Sequence, residues 1–212
     1  MIRQRLTFLV VMAAAVVAVL CCGCSDTGIG GAFGEQRHGS INNNCGTDGT
    51  AGSCKTVTIG EQTWMTENLN YASGNSWCYD DKEYNCKRFG RLYDWNTANT
   101  VCPTGWHLPS NGAWDTLMTA VGGSSTAGKM LKSTFGWNGS GNGPDNYGFS
   151  ALPGGYHSFG YFYNAGHNGY WWTATDNVGS YAYLRGMDYN YDNLFECVYG
   201  KEYGYSVRCV KN

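Results

Sequence analysis

Charged side chains and prolines are scarce in this chain of 212 residues. Asp, Glu, Lys and Arg together make up 14% of the residues, and 4 prolines stand against 31 glycines. The basic residues are scattered and form no cluster that could neutralise phosphates, so we exclude nucleic acid as a partner. The abundance of glycine predicts many tight turns between short strands. Aromatic residues, at 15%, supply the large side chains of a core that has few ionic neighbours.

Catalytic and metal-binding motifs are also missing from the sequence. There is no G-x-S-x-G nucleophile motif and no H-E-x-x-H zinc motif, and the four histidines show no ligand spacing. Residues 188–193 (DYNYDN) resemble the start of an EF-hand loop, but Asn193 stands where glycine is needed and Tyr199 where a glutamate is needed. A hairpin with a polar tip fits this segment better. We therefore expect no catalytic residue, no metal ion and no cofactor.

The longest apolar run lies near the N-terminus and is too short to span a bilayer comfortably. Residues 7–20 (TFLVVMAAAVVAVL) follow two arginines, which is the pattern of a secretory signal. The run ends in CCGC, and a small residue before a cysteine resembles the bacterial lipoprotein signal. We expect a signal peptide over 1–23 and a lipid on Cys24, with Cys22 as the second choice and an ordinary cleaved signal as the alternative. The protein would then be an exported lipoprotein of the outer membrane or cell surface.

Residues 24–55 are rich in Gly, Asn, Ser and Thr and have little hydrophobic periodicity. Such a segment cannot offset the entropy lost on ordering, so we predict a flexible tether that leads to a folded domain over 56–212. Because export makes disulfides the default state of cysteines, two local pairs are expected. Their members are Cys45 with Cys54, which could close a small loop in the tether, and Cys78 with Cys86, which flank a polar loop.

The folded domain begins with alternating apolar residues that predict a hairpin around a turn at Gly60-Glu61. Residues 90–101 (GRLYDWNTANTV) predict a short helix, and Ser110 caps a second, better marked one. The apolar stripe of that second helix is Trp114, Leu117, Met118 and Val121. Beyond a possible helical turn at 127–131, the chain predicts short strands. These strands are GFSALPG, YFYN, YWWTATD, YAYLRGM and YGYSVRCVKN.

A series of short motifs follows a fixed order through the domain: IGEQTWMTENLNYA, WCY, GRLYDWNTA, CPTGWHLPSNGAW, AGKMLKS, GFSALPGGY, GYWWTAT and YSVRCVKN. In kind and order they resemble the Fibrobacter succinogenes major paralogous domain, a family found in many copies on the surfaces of bacteria that live on complex polysaccharides. The resemblance covers nearly all of 56–212. One departure is Ala113, where members often carry an acidic residue that completes a capping box with Ser110.

The resemblance implies an α+β, C-type-lectin-like fold that is shared with sulfatase-modifying enzymes, with two helices flanking twisted antiparallel β-sheets and long irregular loops. It also implies a disulfide between Cys102 and Cys209, which ties the helix motif to the last strand. Cys197 is then the odd cysteine if Cys45 joins Cys54. Sulfatase-modifying enzymes use two cysteines near the C-terminus with copper, and Cys197 and Cys209 are the candidates for that chemistry here.

The densest aromatic segment is 156–172, where rings alternate with Gly, Asn and His. Flat aromatic faces edged with amides suit sugar rings, which present C–H bonds and hydroxyls together. Because neighbouring side chains of a strand point to opposite faces, about half of these rings should face outwards. We select Tyr161, Tyr170 and Trp172 as candidate glycan-binding residues; the alternative is that these large rings are core.

We therefore expect an exported, lipid-anchored surface domain without enzyme activity that serves adhesion or glycan binding. Its partners would be a polysaccharide or an envelope protein, with the membrane contacted through the lipid. A structural or protein-interaction module of the cell envelope is the first alternative. An orphan enzyme of the sulfatase-modifying type is the second.

Overall fold

The computed structural model describes residues 45–212. This part of the chain is α+β and contains four α-helices, two 3-10 turns and twelve short strands. The α-helices are α1 (Glu83–Phe89), α2 (Trp95–Val101), α3 (Asn111–Ala120) and α4 (Ser124–Leu131). The first strands are β1 (Thr56–Ile59), β2 (Gln62–Met65), β3 (Ser76–Trp77), β4 (Leu92–Tyr93), β5 (Trp106–His107) and β6 (Tyr156–Ser158). The others are β7 (Tyr161–Tyr163), β8 (Asn168–Asp176), β9 (Tyr181–Asp188), β10 (Phe195–Gly200), β11 (Tyr205–Ser206) and β12 (Val210–Lys211).

The strands form three sheets. A four-stranded antiparallel sheet has the order β1-β2-β12-β5, and a six-stranded sheet has the order β10-β9-β8-β11-β4-β3. In the larger sheet, β11 runs parallel to β8 and all other neighbours are antiparallel. The third sheet is the hairpin β6-β7. Both larger sheets are therefore completed by strands that come late in the chain.

Strand β8 is buried on both of its faces. Trp171 packs into a core with Trp64, Trp114 and Phe149, whereas Trp172 packs into a second core on the other face. Both indoles are fully buried. Alternation along the strand thus places the two rings on opposite faces as expected, but neither face is open to solvent.

The hairpin β1-β2 and the helix α3 lie where the sequence predicts them, and the Ser110 side chain caps α3 by accepting from the amide of Ala113 (3.2 Å). The count of two helices is wrong. Helix α1 was not predicted, and α4 is a full helix. The expected strand GFSALPG contributes only an isolated bridge at Ala151. Its backbone cannot extend because Ser150 has a left-handed φ of 55° and the carbonyl of Phe149 accepts from Arg208.

The boundary of the predicted tether also needs correction. Residues 45–55 pack against the domain, and Cys45 is completely buried. The amide of Asn70 donates to the carbonyl of Cys45 (2.8 Å), and the amide of Thr66 donates to that of Lys55 (2.9 Å). These hydrogen bonds attach both ends of the segment to the domain. The Gly- and Asn-rich composition of the segment does not predict them. The folded part therefore starts at or before Cys45, while Cys22, Cys24 and the rest of the tether lie outside the described residues.

Three disulfides join six of the seven described cysteines. They are Cys45–Cys54, Cys78–Cys86 and Cys102–Cys209, the same pairs that the sequence analysis expects. The third spans 107 positions and links the end of α2 to the chain just before β12. Cys197 is a buried thiol on β10.

A buried arginine, Arg208, lies where the end of β2, the loop that follows it and the segment at 149–150 meet the last strands. The Arg208 guanidinium donates to the Asn68 side-chain oxygen (2.7 and 3.1 Å) and to the carbonyls of Met65 and Phe149, and it lies over the Phe149 ring (4.5 Å). The Trp171 indole donates to the same Asn68 oxygen (2.8 Å). Burial lowers the pKa of Arg208 to about 9, so the group still carries its charge at neutral pH.

Candidate binding surface

The hairpin β6-β7 turns through only two residues, Phe159 and Gly160, since Ser158 pairs directly with Tyr161. Both turn residues have positive φ, 47° and 84°, which defines a type I′ turn. Asn, Asp and Gly favour the first position of this turn, and a bulky side chain there is strained. Phe159 is nevertheless placed there with 73% of its surface exposed. An apolar ring is thus held out in solvent at a conformational cost.

Phe159 is one member of a surface cluster that we call the aromatic patch. Its members are Tyr156, Phe159, Tyr161, Tyr163, Tyr199 and Tyr203. Tyr156 stacks on Tyr163 (ring centroids 5.1 Å apart), and Tyr203 contacts both Phe159 (5.7 Å) and Tyr199 (5.6 Å). The strand register puts Tyr161 on the same face of the hairpin as Tyr163. Segments some forty positions apart therefore build one surface.

The three rings selected from the sequence have different locations. Tyr161 is 67% exposed and belongs to the aromatic patch. Tyr170 and Trp172 were expected to face outwards, and this is wrong, because they are 6% and 0% exposed. Both lie on β8, which is covered on both faces, and the Trp172 indole donates to the carbonyl of Tyr93 (2.7 Å). They belong to the core and cannot contact a ligand.

The buried rings instead support the patch from below. Tyr170 meets Tyr156 edge-on (5.9 Å), and Tyr205 contacts Tyr156 (5.9 Å) and Tyr203 (6.2 Å). Burial raises the pKa of Tyr205 well above its ordinary value, so its phenol stays neutral. The surface rings are therefore positioned by packed neighbours and are not loose side chains.

The back face of the hairpin is braced by a second set of aromatic contacts. His157 stacks on Trp77 (4.0 Å), and Phe162 packs against Tyr79 (5.4 Å). Burial lowers the pKa of His157, although the charge of Asp81 acts in the opposite direction. Trp77 and Tyr79 flank Cys78, so the Cys78–Cys86 disulfide fixes the segment on which the hairpin rests.

Two other groups of side chains resemble metal sites. Cys78, Glu83 and Cys86 lie within 4.8 Å of one another, but the two sulfurs are joined in a disulfide and cannot act as thiolate ligands. At the EF-hand-like loop, the Lys132 ammonium donates to the carbonyls of Asp188 and Tyr191 (2.5 and 2.7 Å), so a cationic side chain already lies against the loop. The Asp188 carboxylate, which would be the first ligand, accepts from the Asn168 side chain (2.9 Å) and from the amide of Asn190 (2.8 Å). Neither group is arranged to bind a metal.

Sequence reasoning selected one member of the patch, Tyr161, and missed the other five. Tyr156, Phe159 and Tyr163 could have been found by treating 156–163 as one hairpin with a two-residue turn, since an aromatic at φ above zero is unusual. Tyr199 and Tyr203 carry no such local signal, because only the fold brings them beside the hairpin.

The described residues thus form a disulfide-bonded α+β domain with an aromatic surface. The family model described as the Fibrobacter succinogenes major domain matches residues 57–211, and the chain belongs to this family. Comparisons with curated proteins and with solved structures found no match. Within 45–212, none of the helices has the length and apolar character required to cross a bilayer.

Proposed function

We propose that this protein is an exported, lipid-anchored surface domain that binds glycans through the aromatic patch and has no catalytic activity. In this proposal the lipid is attached to Cys24, and the residues between it and Cys45 form the tether. The three disulfides support export, because such bonds persist in oxidising compartments. The mixed arrangement of helices and twisted sheets is compatible with the C-type-lectin-like architecture, which is part of the same proposal.

The observation that carries the proposal is the conformation of Phe159. Strained backbone and exposed apolar rings both cost stability, and they persist mainly where function requires them. Here the two coincide at one residue, beside five tyrosines that offer flat faces and hydroxyls together. That combination suits a sugar ring, which stacks on an aromatic face and hydrogen-bonds at its edge.

The arrangement of the cysteines favours binding over enzyme chemistry. Sulfatase-modifying enzymes need two cysteines that can reach copper, but Cys209 is bonded to Cys102. Cys197 lies on β10 with its side chain buried. The copper-enzyme alternative would therefore require the disulfide that ties α2 to the C-terminal strands to be broken first.

The substitution Phe159→Asn tests the function directly. Asparagine suits the first position of a type I′ turn, so we expect the melting temperature to stay the same or to rise. Removal of the exposed ring should weaken binding of polysaccharides about fivefold or more, since stacking contacts are worth about 1 kcal/mol or more. The full-length protein, purified in detergent, is run through native gels that contain a panel of soluble polysaccharides, and retardation is measured.

Tyr191→Asn is the matched control, because Tyr191 is 56% exposed but lies in the β9-β10 loop outside the patch. It should leave retardation unchanged. If no polysaccharide retards the wild-type protein, or if Phe159→Asn and Tyr191→Asn behave alike, glycan binding by the patch is wrong. An envelope scaffold would then be the better description.

A further inference from the structure

We propose that the aromatic patch selects uncharged polysaccharides and that Glu202 is the residue that excludes anionic ones. This inference rests on the proposed function and adds the chemical class of the ligand. It follows from the charges around the patch, which are few, and whose one basic member, Lys201, is already paired.

The chain that forms most of the patch carries no formal charge over a long distance. Between Asp145 and Asp176 there is no Asp, Glu, Lys or Arg, and this interval includes the entire hairpin β6-β7. The hairpin also contains His157, but that ring lies on the back face against Trp77. The hairpin therefore presents only neutral rings, hydroxyls and backbone groups to a ligand.

The remaining patch residues, Tyr199 and Tyr203, lie on either side of one basic residue, Lys201. Its ammonium is bound to the Asp176 carboxylate (2.6 Å), to the carbonyl of Gly179 (3.0 Å) and over the Trp95 ring (4.5 Å). These contacts satisfy the cation and hold it in the adjoining β8-β9 region. Lys201 is thus not available to pair with a carboxylate or sulfate on the patch.

Glu202 is adjacent to Tyr203 in the same turn and is exposed. Its carboxylate lies close to Gly200, where an added Cβ would come within 2.5 Å of a carboxylate oxygen. Glu202 is therefore the charged residue nearest in sequence to the contact between Phe159 and Tyr203, and its charge is negative. The one basic residue next to it in sequence, Lys201, is already paired with Asp176. A polyanionic chain laid across these rings would meet repulsion, whereas a neutral chain would not.

The test uses pairs of polymers that share a backbone and differ in charge: hydroxyethyl and carboxymethyl cellulose, neutral and carboxymethyl starch, and highly methyl-esterified and de-esterified pectin. Retardation of the full-length protein in native gels is compared within each pair at low and at high salt. We expect the neutral member of at least one pair to bind about fivefold or more tightly than its anionic partner, a ratio that one unpaired carboxylate can supply. Added salt should narrow the ratio, because it screens the repulsion.

The variants Glu202→Gln and Glu202→Lys identify the residue responsible. We expect both to strengthen binding of the anionic member, the lysine more than the glutamine, and to leave binding of the neutral member within about twofold. Asp192→Gln and Asp192→Lys, in the β9-β10 loop, are the controls for net charge and should have no such effect.

Equal or tighter binding of the anionic polymers by the wild-type protein would overturn the selectivity but leave glycan binding standing. An unchanged ratio in the Glu202 variants would overturn the role of Glu202, and a lack of binding to every polymer would overturn the proposed function itself.

Discussion

At the scale of single residues, Asn68 joins three separate parts of the fold through buried hydrogen bonds, which no surface ion pair of the described residues does. Its oxygen accepts from Arg208 and Trp171, and its amide group donates to the carbonyl of Phe89 (2.8 Å). Exposed pairs such as Lys129 with Asp192 contribute little in water. Within residues 45–212, in contrast, no carboxylate bonds to the buried guanidinium of Arg208, so this group depends on neutral oxygens, and the Asn68 oxygen is the one that accepts two of its hydrogen bonds.

The substitution Asn68→Ala should therefore be strongly destabilising. It leaves a buried charge and a buried indole N–H without their shared acceptor. Loss of the hydrogen bond to the charged group costs about 1.5 to 3 kcal/mol, and the unsatisfied indole adds about 1 to 3 kcal/mol. Chemical denaturation of the variant and the wild type measures the difference. The control is Asn99→Ala, since Asn99 is exposed and its side chain bonds only to the carbonyl of Trp95. A loss below about 1 kcal/mol for Asn68→Ala would show that the remaining carbonyls suffice.

At the scale of elements, the patch depends on a brace behind the hairpin. The segment Trp77–Tyr79 supports β6-β7 through two ring contacts, and the Cys78–Cys86 disulfide closes that segment onto α1. Arg91 reinforces the closure, because its guanidinium lies 3.5 and 3.6 Å from the two sulfurs and also donates to the Ser76 hydroxyl. The position of the exposed rings is thus set partly from the opposite face.

Replacing Cys78 and Cys86 by serine should weaken both stability and ligand binding. In the chain-entropy model, loss of a disulfide that closes so short a loop lowers the free energy of unfolding by about 2 to 3 kcal/mol. Trp77 and Tyr79 would then be free to move and would no longer hold the hairpin in place. The matched control is the pair Cys45→Ser and Cys54→Ser, because that loop spans 9 positions against 8. Both double variants should lose similar stability in denaturant, but only the first should lose polysaccharide retardation. Equal retardation by the two would argue against the brace.

The sequence predicts best those elements whose apolar pattern and whose turn or cap are both present in the local sequence. Strands β1 and β2 show alternation around a glycine turn, and α3 has a cap and an apolar stripe, so both were located correctly. Helix α1 was missed because Glu83–Phe89 has no such stripe and buries mainly Cys86, Phe89 and Asn85. Alternation on β8 also predicted opposite orientations for Trp171 and Trp172, but it contains no information on what covers each face. Of the three rings chosen from this segment, only Tyr161 is exposed, and its part in ligand binding stays a prediction.

At the scale of the whole molecule, the proposed architecture is a folded domain joined to a membrane by a short segment before Cys45. Residues 45–55 pack against the domain, so they add little to the length of the tether. In this proposal the lipid and the residues between Cys24 and Cys45 determine how far the aromatic patch stands from the membrane surface.

The anchor can be tested by substitution at the cysteine cluster. Cys24→Ala should move the protein from the membrane fraction to the soluble fraction, because a single peptide without its acyl chains has little affinity for a bilayer. Mass spectrometry of the wild-type N-terminal peptide should find the lipid on Cys24. Cys22→Ala serves as the comparison and should leave the protein on the membrane. Release by Cys22→Ala alone would move the modification to that residue, and release by neither would exclude the lipoprotein assignment.

The late strands have a consequence for how the protein matures. Strand β12 lies between β2 and β5, strand β11 lies between β8 and β4, and Arg208 is located in the short stretch that joins them. Neither sheet can be completed until residues 205–211 are available to pair. The pairs of β12 with β2 and β5, and of β11 with β4, each close a loop of about a hundred residues or more, which is slow. A chain that leaves the ribosome N-terminus first, or that is exported as proposed, therefore cannot form its complete native sheets while it is still being transported. The native fold can form only after residues 205–211 have emerged.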